Sequence, residues 1–274
     1  MRTRRAGRNA HELFRELKRQ HEQAERAIRA RDDMLAMVSH DLKGPLQTLS
    51  LHIDALLAGS PPNERRVVGR ARLEAAQRAV ERMKRMVRDL LDVSRLEAGH
   101  FPIQPREHGV ASLVSESVEP FLPRMRDKSI RLEVVLDDRC DCALVDKDRM
   151  IQVFSNLLDN AIRFTPTDGL ISIRTTCLGP NRVRVSFENS GAGIPRERLE
   201  HIFDRYWQTN DERAGAAGLG LYIVKSIIEA HGGTIEAVSE PGKGATFHLT
   251  LIGDVASNGR TAPGLGSEEC VTRE

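Results

Sequence analysis

His40 stands beside Asp41 in the stretch MLAMVSHDLKGPLQTL, just ahead of Gly44-Pro45. A neutral imidazole is a good nucleophile near pH 7, because its unperturbed pKa is ~6.5. Farther along, DKDRMIQVFSNLLDNAIRFTP sets Gln152, Asn156, Asn160 and Arg163 on one helical face and Met150, Phe154, Leu157 and Ala161 on another. A ridge of amides and a guanidinium on a largely buried helix meets either solvent or a ligand. An amide oxygen suits a hard cation such as Mg²⁺, and arginine suits phosphate. ENSGAGIP then puts Gly191 and Gly193 after a strand, and RAGAAGLGLYIVKSIIEAHGG leads Gly215, Gly218 and Gly220 into a helix. Glycines at a helix start let backbone N–H groups approach an anion, whose charge the helix dipole favours. The polar, small-residue loop 204–217 between them can close as a lid.

The elements that must position these groups are legible in outline. Residues 10–58 carry a heptad stripe, with Phe14, His21, Ile28, Leu35, Leu42 and Leu49 at a and Leu17, Ala24, Arg31 and Val38 at d. In that phase His40 falls at f and faces solvent. Pro45 cannot donate to the carbonyl of residue 41, and Gly44 weakens the same turn by ~1 kcal/mol relative to Ala. The helix is therefore expected to bend just past His40, as a mechanical element by which the N-terminal coiled coil moves the histidine. GSPPN (59–63) is a turn, and a second helix runs from about Glu64 to Ala98, its stripe Ala76, Val80, Met83, Val87 and Leu90. Such a hairpin buries its seam most simply against a second copy, as a homodimeric four-helix bundle.

Residues 100–109 read as a linker. Strand-like runs at 130–136, 170–178, 182–188, 234–240 and 245–252 then alternate with helical segments at 112–125, 147–164 and 219–231. That is an α/β domain with helices layered on one mixed sheet. The tail 253–274 is Gly- and Ser-rich, with little to bury, and reads as disordered.

Composition sets limits. The 274 residues are 40% hydrophobic and 29% charged, with a formal net charge of +2 and only 4% aromatics, so neither general affinity for nucleic acid nor base stacking is expected. No run reaches the ~18 apolar residues of a membrane helix, and no apolar signal segment follows the basic start, so a cytoplasmic chain is expected. Cys140, Cys142, Cys177 and Cys270 lack CxxC spacing and read as reduced structural thiols.

SHDLKGPL, NLLDNAIRFT, ENSGAGIP, IFDRYW, AAGLGLYIV and PGKGATF, in that order, resemble the sensor histidine kinases of two-component systems over roughly residues 30–252. The resemblance implies an N-terminal signalling helix (1–33), a dimerisation and histidine-phosphotransfer hairpin (34–99) and a Bergerat-type α/β sandwich that binds ATP (110–252). It makes His40 the phospho-accepting nucleophile and Asp41 the acid that polarises it. Asn160 matches the Mg²⁺ ligand and Asn156 a support for the phosphates, with Arg163 where lysine is usual and Phe164 where an aromatic ring lies near the adenine. Gly191 and Gly193 would shape the adenine floor. Phe203 would anchor the lid, and Gly215, Gly218, Leu219, Gly220 and Thr246 complete the nucleotide set. The implied partners are a response regulator, a second copy of the chain and an upstream sensor acting on the N-terminal helix.

The chain departs from the pattern at Asn189, where relatives carry an aspartate that reads the adenine amino group, at Ala216 in the phosphate loop, and at Gly44, where many carry threonine or asparagine. Weaker ATP binding and weak phosphatase activity toward the regulator follow as expectations. The departures keep a catalytically impaired scaffold in view beside the kinase. A gyrase-like or chaperone-like ATPase is a further alternative, against which the histidine hairpin argues.

Overall fold

A computed structural model describes residues 18, 19, 21, 42–55, 65–97, 101–137, 142–179, 181–207 and 218–253. They fall into two compact units, one helical ahead of Ser94 and one α/β from Arg95 on, with Gly218 and Leu219 grouped with the first. Most of the N-terminal coiled coil, His40, Asp41, most of the lid and the tail beyond Gly253 lie outside the described residues.

The helical unit contains α1 (42–55) and α2 (Arg65–Glu97). Pro45 is buried in α1, and Thr48 Oγ1 donates to the Gly44 carbonyl at 3.1 Å. The bend expected there turns on the carbonyl of residue 41, which is outside the described set. On α2, Ala76, Ala79 and Val93 are buried, whereas Leu73, Val87 and Leu91 are exposed, as are Leu46, Leu51 and Ile53 on α1. Large apolar side chains thus stay uncovered in the single chain, as the expectation of a second copy requires.

The α/β unit runs β1 (Arg106–Gly109), α3 (Val110–Val118), a 3₁₀ turn (Glu119–Phe121), α4 (Leu122–Asp127), β2 (Arg131–Val135), β3 (Cys142–Val145) and α5 (Lys147–Phe164). It continues with β4 (Leu170–Cys177), β5 (Arg182–Asn189), α6 (Arg196–Leu199), α7 (Gly220–Ala230), β6 (Thr234–Glu240) and β7 (Gly244–Ile252). A five-stranded sheet has the order β2-β4-β5-β7-β6, and β1 pairs with β3 beside it. Only the β2–β4 pair of the large sheet is parallel, so the sheet is mixed as expected.

Strand alternation builds the core. Ile171 and Ile173 of β4, Val185 and Phe187 of β5 and Leu249 and Leu251 of β7 are buried with Phe154, Leu157 and Leu158 of α5 and Ile223, Val224 and Ile227 of α7. The Phe154 and Phe187 rings meet at 5.2 Å, fixing α5 on β5. Each such side chain contributes about 1.5–3 kcal/mol by burial.

Three expectations are corrected. The helix at 112–125 is divided into α3, the 3₁₀ turn and α4, because Pro120 and Pro123 each lack the N–H a continuous helix needs. The second half of the expected linker is strand β1, whose residues 106–109 pair with 145–142 of β3. Cys177 is disulfide-bonded rather than reduced, and its partner lies outside the described residues.

Candidate functional site

The site is assembled on α5. Asp146 caps its start, accepting from the Arg149 N–H at 3.2 Å, while Arg163 in the last turn complements the helix dipole. The helix stops at Thr165, extended because Pro166 follows. Of the polar ridge, Gln152 is drawn into a pair with Arg149 Nη1 at 2.9 Å. Asn156 behaves differently. Its Nδ2 is buried and has no hydrogen-bond partner among the described residues, and its Oδ1 lies 3.8 Å from where a Cβ on Gly220 would sit. A buried amide without a partner costs about 1–3 kcal/mol, which a ligand at this spot would relieve.

Gly220 is the first residue of α7, so Asn156 faces a helix N-terminus whose N–H groups favour an anion. Gly218, with φ +65, holds a left-handed turn just before it. Leu219 beside it is buried. Asn160 lies one turn beyond Asn156 on the same ridge, half-buried. An amide donor set next to a helix N-terminus fits a Mg²⁺–phosphate group. At the other end of α5 the Arg163 guanidinium stacks 4.4 Å over the Phe164 ring, which is 44% exposed. Both line a cavity of about 540 Å³ with Lys128, Ser190, Gly191 and Gly242.

The cavity floor is the loop after β5. Gly193 has φ +74, and a Cβ there would collide with the Glu240 carbonyl, so that position requires glycine. The Ile194 N–H donates to Ser239 Oγ at 2.8 Å, tying the loop to β6. The Asn189 amide is buried and, assigned in the orientation that satisfies both of its groups, accepts on Oδ1 from the Gly191 N–H at 3.1 Å and donates from Nδ2 to the Ala245 carbonyl at 3.2 Å. Phe203 meets Phe247 edge-on at 6.4 Å, placing the start of the lid segment against the core.

Thr246 is not part of this assembly. It pairs opposite Glu188, while the neighbouring pair Phe187 and Phe247 is buried on the helix side. By alternation Thr246 points to the other face of the sheet, so the nucleotide role expected for it is withdrawn. His40, Asp41 and Gly215 lie outside the described residues.

Several supporting groups escaped the sequence reading. The His231 ring donates from Nδ1 to the Ile227 carbonyl at 2.7 Å and accepts the Asp146 N–H on Nε2 at 2.9 Å, joining the end of α7 to the cap of α5 as a neutral imidazole. Asp146 also accepts the Gln104 N–H at 2.9 Å, and Arg149 lies 4.5 Å over the Phe101 ring, so the linker is seated on α5. Partial burial opposes the Asp146 charge, but the N–H groups of Gln104 and Arg149, with the Arg149 guanidinium nearby, hold its carboxyl below the ordinary value. An Asp ahead of a helix is a legible cap signal. The other contacts are long-range and leave no local trace.

Comparison with known proteins places these features. Residues 30–99 match the His Kinase A (phospho-acceptor) domain, and residues 145–253 match the histidine kinase-, DNA gyrase B- and HSP90-like ATPase domain. Adaptive-response sensory kinase SasA from a Synechococcus species is 33% identical over 236 residues, covering 86% of this chain and 63% of the relative. The Synechocystis protein of the same name is 33% identical over 239 residues, covering 86% and 62%. This chain thus spans about three-fifths of the length of these relatives. Among solved structures, the catalytic domain of histidine kinase ThkA is 32% identical, with TM-score 0.50, covering 56% of this chain and 97% of that one. Full-length ShkA in complex with AMPPNP is 26% identical, with TM-score 0.60, covering 82% and 47%. A complex of ThkA with response regulator protein TrrA shares the fold, at 24% identity and TM-score 0.58, covering 82% and 63%. With a phospho-acceptor hairpin, an ATPase domain and the α5–α7 site joined in one order, the chain belongs to the sensor histidine kinases of two-component systems.

Proposed function

We propose that this protein is an ATP-dependent histidine kinase that phosphorylates its own His40 and passes the phosphoryl group to an aspartate of a response regulator. The observation that carries the reading is Asn156, whose buried Nδ2 has no partner among the described residues and which adjoins the start of α7. Asn156 and Asn160 would hold Mg²⁺ and the phosphates, Arg163 would add positive charge, and Phe164, Gly191 and Gly193 would form the adenine side. Mg²⁺ there would neutralise charge on the phosphates as the γ-phosphoryl group moves. His40 Nε2 would attack the γ-phosphorus while Asp41 holds the Nδ1 proton, and ADP leaves. Solvent exposure at heptad position f would let both the ATP domain and the regulator reach the imidazole.

The exposed apolar side chains of α1 and α2 support a homodimer. Among the described residues no helix is long and apolar enough to cross a membrane, and we place the chain in the cytoplasm. A second reading, a nucleotide-binding scaffold of impaired activity, is favoured by the Asn189 amide, which is engaged inside the sheet.

Incubation with Mg²⁺ and γ-labelled ATP decides between them. The kinase gives acid-labile, alkali-stable label that is absent from His40→Gln. Nucleotide binding with no label in either protein would establish the scaffold instead.

A further inference from the structure

We infer that Lys128 is a positioning residue for the nucleotide: its ammonium closes the C-terminal end of α5 and thereby sets Arg163 and Phe164. A helix end leaves its last four carbonyls without intrahelical donors. At α5 the Ala161 carbonyl accepts from the Thr165 N–H at 2.9 Å and from Thr165 Oγ1 at 2.6 Å. Lys128 Nζ, arriving from the turn after α4, donates to the carbonyls of Ile162 at 2.8 Å, Thr165 at 3.1 Å and Arg163 at 3.4 Å. An ammonium has three donors, and all three are engaged. Lys128 makes no ion pair among the described residues, so its charge serves the helix end alone.

The backbone repeats the connection. The Lys128 carbonyl accepts the Asp168 N–H at 3.1 Å, and the Arg131 N–H donates to the Gly169 carbonyl at 2.9 Å. Ser129 and Asp168, on the two turns so joined, have φ of 53° and 62°, a region non-glycine residues rarely adopt. On the opposite side, Gly191 leaves room for the Phe164 carbonyl. The residues at the cavity mouth are thus held between Lys128 and the loop after β5. Because its donors are engaged with the helix, Lys128 acts through Arg163 and Phe164 and not by contact with phosphate.

This inference rests on the proposed placement of nucleotide against Arg163 and Phe164, and the test separates the two. In the full chain, Mg²⁺–ATP affinity, autophosphorylation KM and kcat, and Tm are compared for wild type, Lys128→Met, Lys128→Arg and Arg163→Ala. Arg163→Ala and Lys128→Met should each weaken ATP binding about ten-fold, the scale of one lost charge-assisted hydrogen bond, with kcat at saturating ATP held within about two-fold. Lys128→Arg should recover most of the loss. A Lys128→Met protein with lowered Tm but unchanged ATP affinity overturns the inference while leaving the site reading intact. Unchanged affinity in both Arg163→Ala and Lys128→Met overturns the site reading and the inference with it. Weakening by Lys128→Met alone would mean direct contact and also overturns positioning. Should Lys128→Met not fold, Lys128→Gln replaces it: its shorter side chain offers two N–H donors for three carbonyls and no charge, so weaker binding is expected there too, and unchanged affinity has the same force.

Discussion

The carbonyl oxygen of Phe164 lies 2.5 Å from where a Cβ on Gly191 would stand. The end of α5 and the loop after β5 therefore approach closely at Gly191, with the Asn189 amide 2.6 Å from the same point. Gly191→Ala would push apart the two walls of the cavity that holds Phe164. The variant should lose about 1–3 kcal/mol of stability from overpacking and bind Mg²⁺–ATP more weakly. Calorimetric unfolding and nucleotide titration measure both effects, and an unchanged Tm with unchanged affinity would contradict the close approach.

Asp146 joins the linker to the nucleotide domain, and its charge makes that junction acid-sensitive. Burial disfavours its carboxylate, but the N–H groups of Gln104 and Arg149, with the Arg149 guanidinium close by, reverse this and depress the folded-state pKa. A depressed carboxyl contributes stability that is present above the unfolded value of ~3.9 and is lost as pH falls through the folded one. Asp146→Asn should remove that acid-side dependence and lose less at pH 7 than alanine does, because its one carbonyl oxygen still caps the Arg149 N–H while its amide nitrogen cannot accept from Gln104. Asp146→Ala should cost about 1 kcal/mol at pH 7 and release the Gln104 N–H. Tm recorded from pH 7 to pH 3 for the three proteins distinguishes these outcomes.

Asp89 on α2 carries the opposite dependence. Burial and the neighbouring Asp92 carboxylate push its pKa up to about 7, against the positive charges of Arg88 and Arg85. A carboxyl raised in the folded state contributes stability that is complete below the unfolded value and lost as pH rises through the folded one. The helical unit should therefore weaken from about pH 4 to about pH 7 on account of this residue. Asp89→Asn should raise Tm at pH 8 and have a vanishing effect near pH 4. A gain that is the same at both values would assign the effect to packing.

What was legible in the sequence followed from local pattern. Helix α5 and strands β4 to β7 lie where their periodicities put them; the apolar positions of α5, β4, β5 and β7 are the ones the fold buries, while β6 alternates between half-buried and exposed residues. The ridge of Asn156 and Asn160 was visible for the same reason. Strands β1 and β3 were not, since four-residue runs such as REHG and CALV show no clear period and form only by pairing with each other. Pro120 and Pro123 are local signals for the breaks inside 112–125. Lys128 was hidden more thoroughly, because its carbonyl partners lie 34 to 37 residues away. Thr246 shows the converse limit: a strand residue's face follows from register and from the side its helices cover, and a motif states neither.

The resemblance to sensor histidine kinases implies an aspartate at the position of Asn189, and the sheet explains why introducing the acid should fail. Its Oδ1 accepts the Gly191 N–H, and its Nδ2 donates to the Ala245 carbonyl at 3.2 Å. A carboxylate keeps the first bond but turns an acceptor against the Ala245 carbonyl, at a position only 7% exposed. The charge would be buried beside a second oxygen with no donor between them. Asn189→Asp should therefore lose about 1–3 kcal/mol at pH 8. Stability should return as the pH falls, because a protonated carboxyl can donate to Ala245 as the amide does. Its affinity for Mg²⁺–ATP should not improve, since the group is engaged within the sheet before any nucleotide arrives. Tm at pH 5 and pH 8 with ATP titration at both makes the comparison. A variant as stable as wild type that binds ATP more tightly would show that the Ala245 contact does not hold Asn189 in place.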